Sequence, residues 1–233
     1  MNLKKRIKRI ALKEVESTNL YVRERVVKGR DCIVTAKRQT GGMGTKGRSF
    51  SSETGGVYLT ALRFYENLSA KQAFALMASA AVAVCNTLES FGLHPVIKWA
   101  NDIHVNGKKI CGILVENGLS KGCIEYSITG IGLNVCNELP GELAQIATTM
   151  RAETGKKISV DAVTKRLVKN LKHPKGVEEY LSRLGYMGER AELLVGEEKV
   201  PCKLLFVDNE GGLTVEIEGE EKRFVAAEVS LRL

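Results

Sequence analysis

"QTGGMGTKGRSFSSETGGVYLT", Gln39 to Thr60, is the stretch whose reading decides the fold. Its core spells G-x-G-x-x-G at Gly42, Gly44 and Gly47. It also spells G-x-x-x-x-G-R-S, a phosphate-loop pattern except that Arg48 stands where a Lys would be. Both patterns need a helix that begins inside the glycine run, because first-turn N–H groups and the macrodipole do the binding. No helix can start here, since "SFSSETGG" is polar and glycine-broken and "VYLTALRF" has the β-branched and aromatic character of a strand. The segment therefore reads as a glycine-rich loop between the strands "DCIVTAK" and "GVYLTALRF", with cations at Lys37, Arg38, Lys46 and Arg48. Such a loop suits a phosphate by closing over it, and is expected to be mobile when empty.

Upstream, "RIALKEV" predicts a strand and "STNLYVRERVVKG" a helix capped by Ser17 or Thr18 and stopped at Gly29. Downstream, Ser69 and Gln72 form a capping box for "AKQAFALMASAAVAVCNTLESFG", whose small apolar residues on nearly every face suit a helix lying flat on a sheet. "PVIKW", a polar step "ANDIHV" and the Asn106-Gly107 hairpin turn lead to the strands "KKICGILVEN" and "CIEYSITGIGLNV", separated by "GLSKG". From "ELPGELAQIA" through "ISVDAVTKRLVKNLKH" and "GVEEYLSRLG" the pattern is helical, broken at Pro174. Beyond it, short strands alternate with Gly-Gly and Glu-Gly turns, the pattern of a small SH3-like barrel, with Phe206 and Phe224 expected in its core. The expected fold class is α+β: a mixed, largely antiparallel sheet with helices over residues 1–186, and a docked C-terminal barrel over 187–233.

The formal charge of +8 points to an anionic partner without choosing among nucleotides, acidic proteins, nucleic acid and membrane surfaces. Six cysteines without a C-x-x-C pair and three scattered histidines argue against a disulfide framework or a metal cluster, and predict free thiols in a reducing cytoplasm. The basic opening is not followed by an apolar h-region, and the run Ala73 to Cys85 falls short of the ~20 residues that span a bilayer, so the expectation is a soluble protein with no membrane partner.

Four clusters bear on chemistry: "ESTN" at Glu16 to Asn19, the glycine loop, "KWANDIHVNGKKICGIL" from Lys98 to Leu114, and "GIGLN" from Gly130 to Asn134. Singly, each has an ordinary explanation as a helix cap, a turn or a strand end. In this order and at these intervals they resemble the catalytic domain of biotin protein ligases. That family's loop reads Q-T-A-G-R-G-R-R-G-R, followed by K-W-P-N-D, K-x-x-G-I-L-x-E and G-I-G-x-N. A closing "EVSLR" also looks like the family's C-terminal domain. With Met1 only about fifteen residues before "ESTN", a monofunctional ligase without the family's N-terminal DNA-binding domain is expected, and hence no DNA partner.

The resemblance implies a class II aminoacyl-tRNA synthetase-like catalytic domain, with biotin and ATP as substrates and Mg²⁺ as the companion ion. Its acceptor would be the biotin carboxyl carrier domain of acetyl-CoA carboxylase or a related carboxylase, an acidic partner for a basic, monomeric or homodimeric enzyme. By family match, Ser17, Thr18, Asn19 and Gln39 pair with the ureido group of biotin. Backbone from Met43 through Gly44 to Thr45 closes above it, and Gly112 lets the ring approach its strand. Lys109, at the K-x-x-G-I-L position, bridges the biotin carboxylate and the α-phosphate. The nucleotide falls to Gly42, Gly44, Lys46, Gly47, Arg48, Lys98, Asn101, Asn134 and Arg232. Asp102 takes Mg²⁺ or accepts the acceptor lysine's proton, so Lys109, Arg48 and Asp102 form the catalytic set.

Two departures stand out: Met43 and Thr45 replace loop arginines, and Ala100 replaces the proline of K-W-P-N-D. A lipoate ligase of the same superfamily would show an arginine pair before a glycine run and a nearby "HD", and an octanoyl transferase a reactive Cys. Cys111 sits at an ordinary strand position with nothing in the sequence to activate it. A basic nucleic-acid-binding module remains the rival from a different class.

Overall fold

The computed structural model describes residues 7–26, 29–196 and 198–232. Seven strands form the main sheet: β1 (Lys8–Val15), β2 (Cys32–Gln39), β3 (Val57–Ser69), β4 (Val96–Lys98), β5 (Asp102–Val105), β6 (Lys108–Ser120) and β7 (Cys123–Leu133), in the order β1-β2-β3-β7-β6-β5-β4. All neighbours are antiparallel except β1 and β2, which α1 (Thr18–Arg23) connects as a parallel pair. Ser17 caps α1, but the helix ends at Arg23, well short of Gly29. "ANDIHV" is mostly β5, and β6 runs on through "GLS", because the tight turns sit at Asn106-Gly107 and Lys121-Gly122, all with positive φ. "ELPGELAQIA" yields only a 3-10 turn, Leu143–Gln145, its chain being directed by Pro140 and then paired back to Lys109.

Period-two alternation gives the sheet two unlike faces. Val57, Leu59 and Ala61 of β3 pack toward α2 (Ala73–Glu89), whose Ala78, Ala81, Val82, Cys85 and Leu88 are fully buried. The Ser69–Gln72 capping box starts this run. Together with the turn before it, Ala70–Glu89 reaches 20 residues of mean hydropathy 1.2, long and apolar enough to cross a membrane by length and composition. Here 56% of its apolar stretch is buried inside the fold. Helices α3 (Met150–Thr154), α4 (Val160–Asn170) and α5 (Val177–Leu181) complete the helical set; Met150, Val163, Leu167 and Tyr180 belong to the same core. The opposite face carries α1, with Val22 against Val34, Leu62 and Ile128, and the glycine loop, whose Phe50 lies against Gly132. Thr60 and Gly130, which stands beside it on β7, therefore look onto α1.

The second sheet holds β8 (Arg190–Val195), β9 (Glu198–Val207), β10 (Leu213–Ile217), β11 (Glu220–Phe224) and β12 (Val229–Arg232), in the SH3-like order β11-β10-β9-β8-β12. Its core of Leu193, Leu204, Leu213 and Val215 receives Trp99, whose indole Nε1 donates to the Gly211 carbonyl at 3.0 Å. Phe224 packs there as expected, whereas Phe206 is 50% exposed. A register shift between Thr214 and Val215 explains it: one extra residue on β9 reverses the alternation, so Phe206 points outward.

Candidate active site

Three neighbouring strands build the floor of a cavity on the α1 face. Tyr58, Gly132 and Gly112 form one row across β3, β7 and β6, and Thr60, Gly130 and Leu114 the next. Three of the six positions have no side chain, which makes a trough. A Cβ on Gly130 would lie 2.2 Å from Asn19 Oδ1, and one on Gly132 would lie 2.5 Å from the Phe50 ring. Neither position tolerates any other residue without displacing what fills the trough.

Gln39 enters from the end of β2, and Ser17, Thr18 and Asn19 from the start of α1; Met43, Gly44, Thr45, Arg48 and Phe50 come from the glycine loop and Asn101, Lys109 and Gly112 from β5, β6 and the turn before them. The loop lies between two strands and is folded on itself, as Gly44 N–H donates to Arg48 O at 2.6 Å and Phe50 N–H to Gly42 O at 2.8 Å. Gly42 is required by crowding, with a Cβ only 2.3 Å from the Phe50 carbonyl. Of the loop cations, Arg38 is tied to Glu14 and Glu53 on the surface. Arg48 folds onto Thr45, donating from Nη2 to Oγ1 at 2.8 Å. Lys46 lines a second cavity, and it and Gly47, with φ of 57° and 71°, turn the loop.

This second cavity, about 440 Å³, lies between β6, the start of α2, Lys98–Asp102 and β12. Thr45, Arg48, Asn101 and Ile113 line both cavities, so the two adjoin. The first has a volume of about 100 Å³. That is below the ~300 Å³ at the small end of ligand pockets, while the second is within the usual range. The Phe50 ring lies over this floor, against Gly112 and Gly132.

Lys109 Nζ sits 2.7 Å from Asp102 Oδ1 and 5.9 Å from the centroid of the Phe50 ring. Lys98 is partly buried, and burial pushes its pKa below the ordinary lysine value. Lys109, Arg48 and Arg232 push the same way, against the pull of Asp102. Lys98 thus has three other cations and one carboxylate within electrostatic reach, a field suited to a polyanion. Arg232, at the exposed end of β12, is close enough to be felt although it does not line either cavity.

Asn134 goes elsewhere. Its carboxamide donates to Thr148 O and accepts from Asn137, both at 3.1 Å, and the residue is buried away from both cavities. In this fold it fastens the end of β7. For Mg²⁺ the donors are few: Asn101 keeps Oδ1 because Nδ2 is spent on Ile113 O at 2.7 Å, and Asp102 keeps its second oxygen. No group of three His, Cys, Asp or Glu side chains placed to hold a metal occurs among the described residues. This donor set fits an ion that arrives bound to a triphosphate better than a resident metal.

Phe50 and Thr60 are missing from the residues that sequence reasoning selected, and Gly130, Gly132 and Glu116 lay within its motifs without being assigned a role. The glycines of "GIG" had a legible signal, since alternate glycines inside a strand mark a place where something approaches the sheet closely.

The Biotin/lipoate A/B protein ligase family model matches residues 9–134. The bifunctional ligase/repressor BirA of Bacillus subtilis is 30% identical over 215 residues, covering 85% of this chain and 66% of that protein. BirA of Escherichia coli is 24% identical over 232 residues, 94% of this chain and 72% of its own. The chain thus spans about two thirds of the length of these curated relatives. Among solved structures, the biotin protein ligase of Aquifex aeolicus in complex with biotin and ATP has a TM-score of 0.77 and 34% identity, covering 97% of this chain and 98% of that one. The biotin protein ligase of Leishmania major in complex with biotinyl-5-AMP shares the fold, with a TM-score of 0.67 at 23% identity over 94% and 99% of the two chains.

Proposed function

Because the chain belongs to the biotin/lipoate A/B protein ligase family, we propose that it is an ATP-dependent ligase that forms biotinyl-5'-AMP and passes the biotinyl group to a lysine of a biotin carboxyl carrier domain. The observation that carries this reading is that Arg48 and Lys109, from separate stretches, line one cavity whose glycine floor already accommodates a flat ring, that of Phe50. The Aquifex relative, seen with biotin and ATP, favours biotin over lipoate. An acyl-enzyme route through Cys111 has no support, since that thiol is fully buried and burial raises its pKa well above the ordinary value.

In the first step a biotin carboxylate oxygen bonds to the α-phosphorus of ATP and pyrophosphate leaves. Two unit negative charges 4 Å apart repel by ~4 kcal/mol at an effective dielectric near 20. Lys109, reaching over Gly112, meets the carboxylate, while Arg48 and Lys98 face the phosphates. Mg²⁺ held by Asp102 and Asn101 would neutralise the triphosphate. In the second step the neutral amine of the carrier lysine attacks the acyl carbon, AMP departs, and the amine gives up a proton. Asp102 would take it while Lys109 is held by the adenylate phosphate and so drawn off that carboxylate. Asp102→Asn should slow transfer from preformed adenylate by roughly 10²-fold, the scale of one general base, and adenylate synthesis less; equal losses would assign Asp102 to holding Lys109 instead.

Lys98 adds a pH signature. A lysine with a lowered pKa loses its charge at lower pH than usual as pH rises. The KM for ATP should therefore climb with pH at values below the ordinary lysine range. Lys98→Arg, charged throughout, should flatten that limb. A flat profile in the unaltered protein would remove Lys98 from the nucleotide site.

The proposal divides the chain into a ligase unit over residues 1–186 and a small all-β unit over 187–233. It places the protein in the cytoplasm, in keeping with six free cysteines. Radiolabelled pyrophosphate exchange into ATP tests the whole reading: it should depend on biotin, and exchange supported by lipoate instead would overturn it.

A further inference from the structure

Thr18 and Asn19 are held in the cavity wall by a run of hydrogen bonds that ends on an ion pair outside the cavity. Glu116 of β6 divides its carboxylate, with Oε2 accepting from Asn19 Nδ2 at 2.9 Å and Oε1 taking the guanidinium of Arg23 in the last turn of α1. An ionised carboxylate only accepts. It therefore fixes the Asn19 amide with Oδ1 turned toward Thr60, whose Oγ1 is 2.6 Å away. Thr60 is fully buried and 2.8 Å from Thr18 Oγ1. Thr18 in turn donates its N–H and O–H to Gln39 Oε1 at 2.8 and 2.9 Å, which leaves Gln39 Nε2 facing Ser52 Oγ at 2.9 Å. The two ends of the run are thus set independently, Gln39 by a backbone N–H and Asn19 by Glu116.

We propose that Glu116, braced by Arg23, is a positioning residue for the biotin pocket. Its carboxylate decides which atom of Asn19 meets Thr60 and which remains for the ligand. The same ion pair holds α1 against β6. This matters because α1 has six residues, and a helix that short does not keep its shape unaided. The inference rests on the ligase reading and extends it to a residue that does not line the cavity.

The test uses the full chain and two readouts: biotin binding alone by calorimetry, and KM for biotin and for ATP by pyrophosphate exchange. Glu116→Gln keeps the size but presents an amide N–H₂ donor to either Asn19 or Arg23. Biotin Kd and KM should rise roughly tenfold or more, the scale of a lost charge-assisted hydrogen bond, with kcat and the KM for ATP nearly unchanged. The double reversal Arg23→Glu with Glu116→Arg restores an ion pair but meets Asn19 with donors only. It should recover the melting temperature and leave biotin binding weak. If it recovers both, the pair is a structural clamp and the positioning role is overturned. Unchanged biotin Kd in Glu116→Gln overturns the proposal while leaving the ligase reading intact, whereas no biotin binding by the unaltered chain sinks that reading and this proposal with it.

Discussion

Replacing Lys109 with Gln should lower biotin-dependent pyrophosphate exchange by roughly 10²- to 10³-fold, the cost of removing one preorganised donor from developing charge in a water-poor site. The magnitude follows from what Lys109 has around it. Its backbone is clamped, with N–H to Ile146 O and C=O from Thr148 N–H, both at 2.9 Å, so the side chain leaves the strand from a fixed point. Its ammonium is held 2.7 Å from Asp102, poised beside the floor of the first cavity. Gln cannot supply the charge, and it also leaves Asp102 facing Lys98, Arg48 and the substrates' own negative charge unscreened. The loss should fall on kcat for adenylation, because the Lys109 contact gains most when the carboxylate and phosphate close on each other. Transfer from separately supplied biotinyl-AMP should suffer less, as the two acids are then already joined. Equal impairment of both half-reactions, or exchange within a few-fold of the unaltered protein, would remove Lys109 from the bridging role.

The residues whose role is local were the ones the sequence revealed. Asn106 and Gly107 turn with φ of 49° and 76°, as their dipeptide dictates, and Ser69 and Gln72 close the predicted box. The glycine loop could not hold an α-helix, and it holds only a single irregular 3-10 turn, Thr45–Gly47. What escaped was set by pairing between distant strands. "GIGLN" drew attention to Asn134, yet it is Gly130 and Gly132 that open the floor, because registration places them beside Thr60 and Tyr58 of β3. Nothing in the spacing of "GIG" says which strand stands next to it. Asn134 is one step further along, where the chain leaves the sheet, and its amide is consumed by Thr148 and Asn137. Phe50 was hidden for a similar reason: in a polar stretch it reads as an isolated aromatic, and only the folding back of the loop brings its ring onto Gly132. The parallel pairing of β1 with β2, and the outward turn of Phe206, are likewise consequences of a crossover and a bulge that composition does not encode.

Installing an arginine at Met43 should slow escape of biotinyl-AMP by tenfold or more, since a charge-assisted hydrogen bond contributes about 1.5–3 kcal/mol and ~1.4 kcal/mol is a factor of ten. Met43 lines the first cavity and is 38% exposed, so it covers the ligand with an apolar side chain that offers the phosphate nothing. The unaltered protein is accordingly expected to leak adenylate and to label lysines at random when no carrier is present. Thr45 behaves differently although it too replaces a loop arginine. Its Oγ1 is the acceptor that holds Arg48 Nη2, so Thr45→Arg would add one guanidinium while releasing and repelling another. Met43→Arg should therefore tighten retention more than Thr45→Arg, and the pair together should gain less than the sum. Dissociation rates of isolated biotinyl-AMP, with mass-spectrometric mapping of biotin on bystander proteins, measure both effects. Biotin confined to the carrier lysine in the unaltered protein, with no change in dissociation rate on Met43→Arg, would mean that the backbone N–H groups of the loop already do what the missing guanidiniums would.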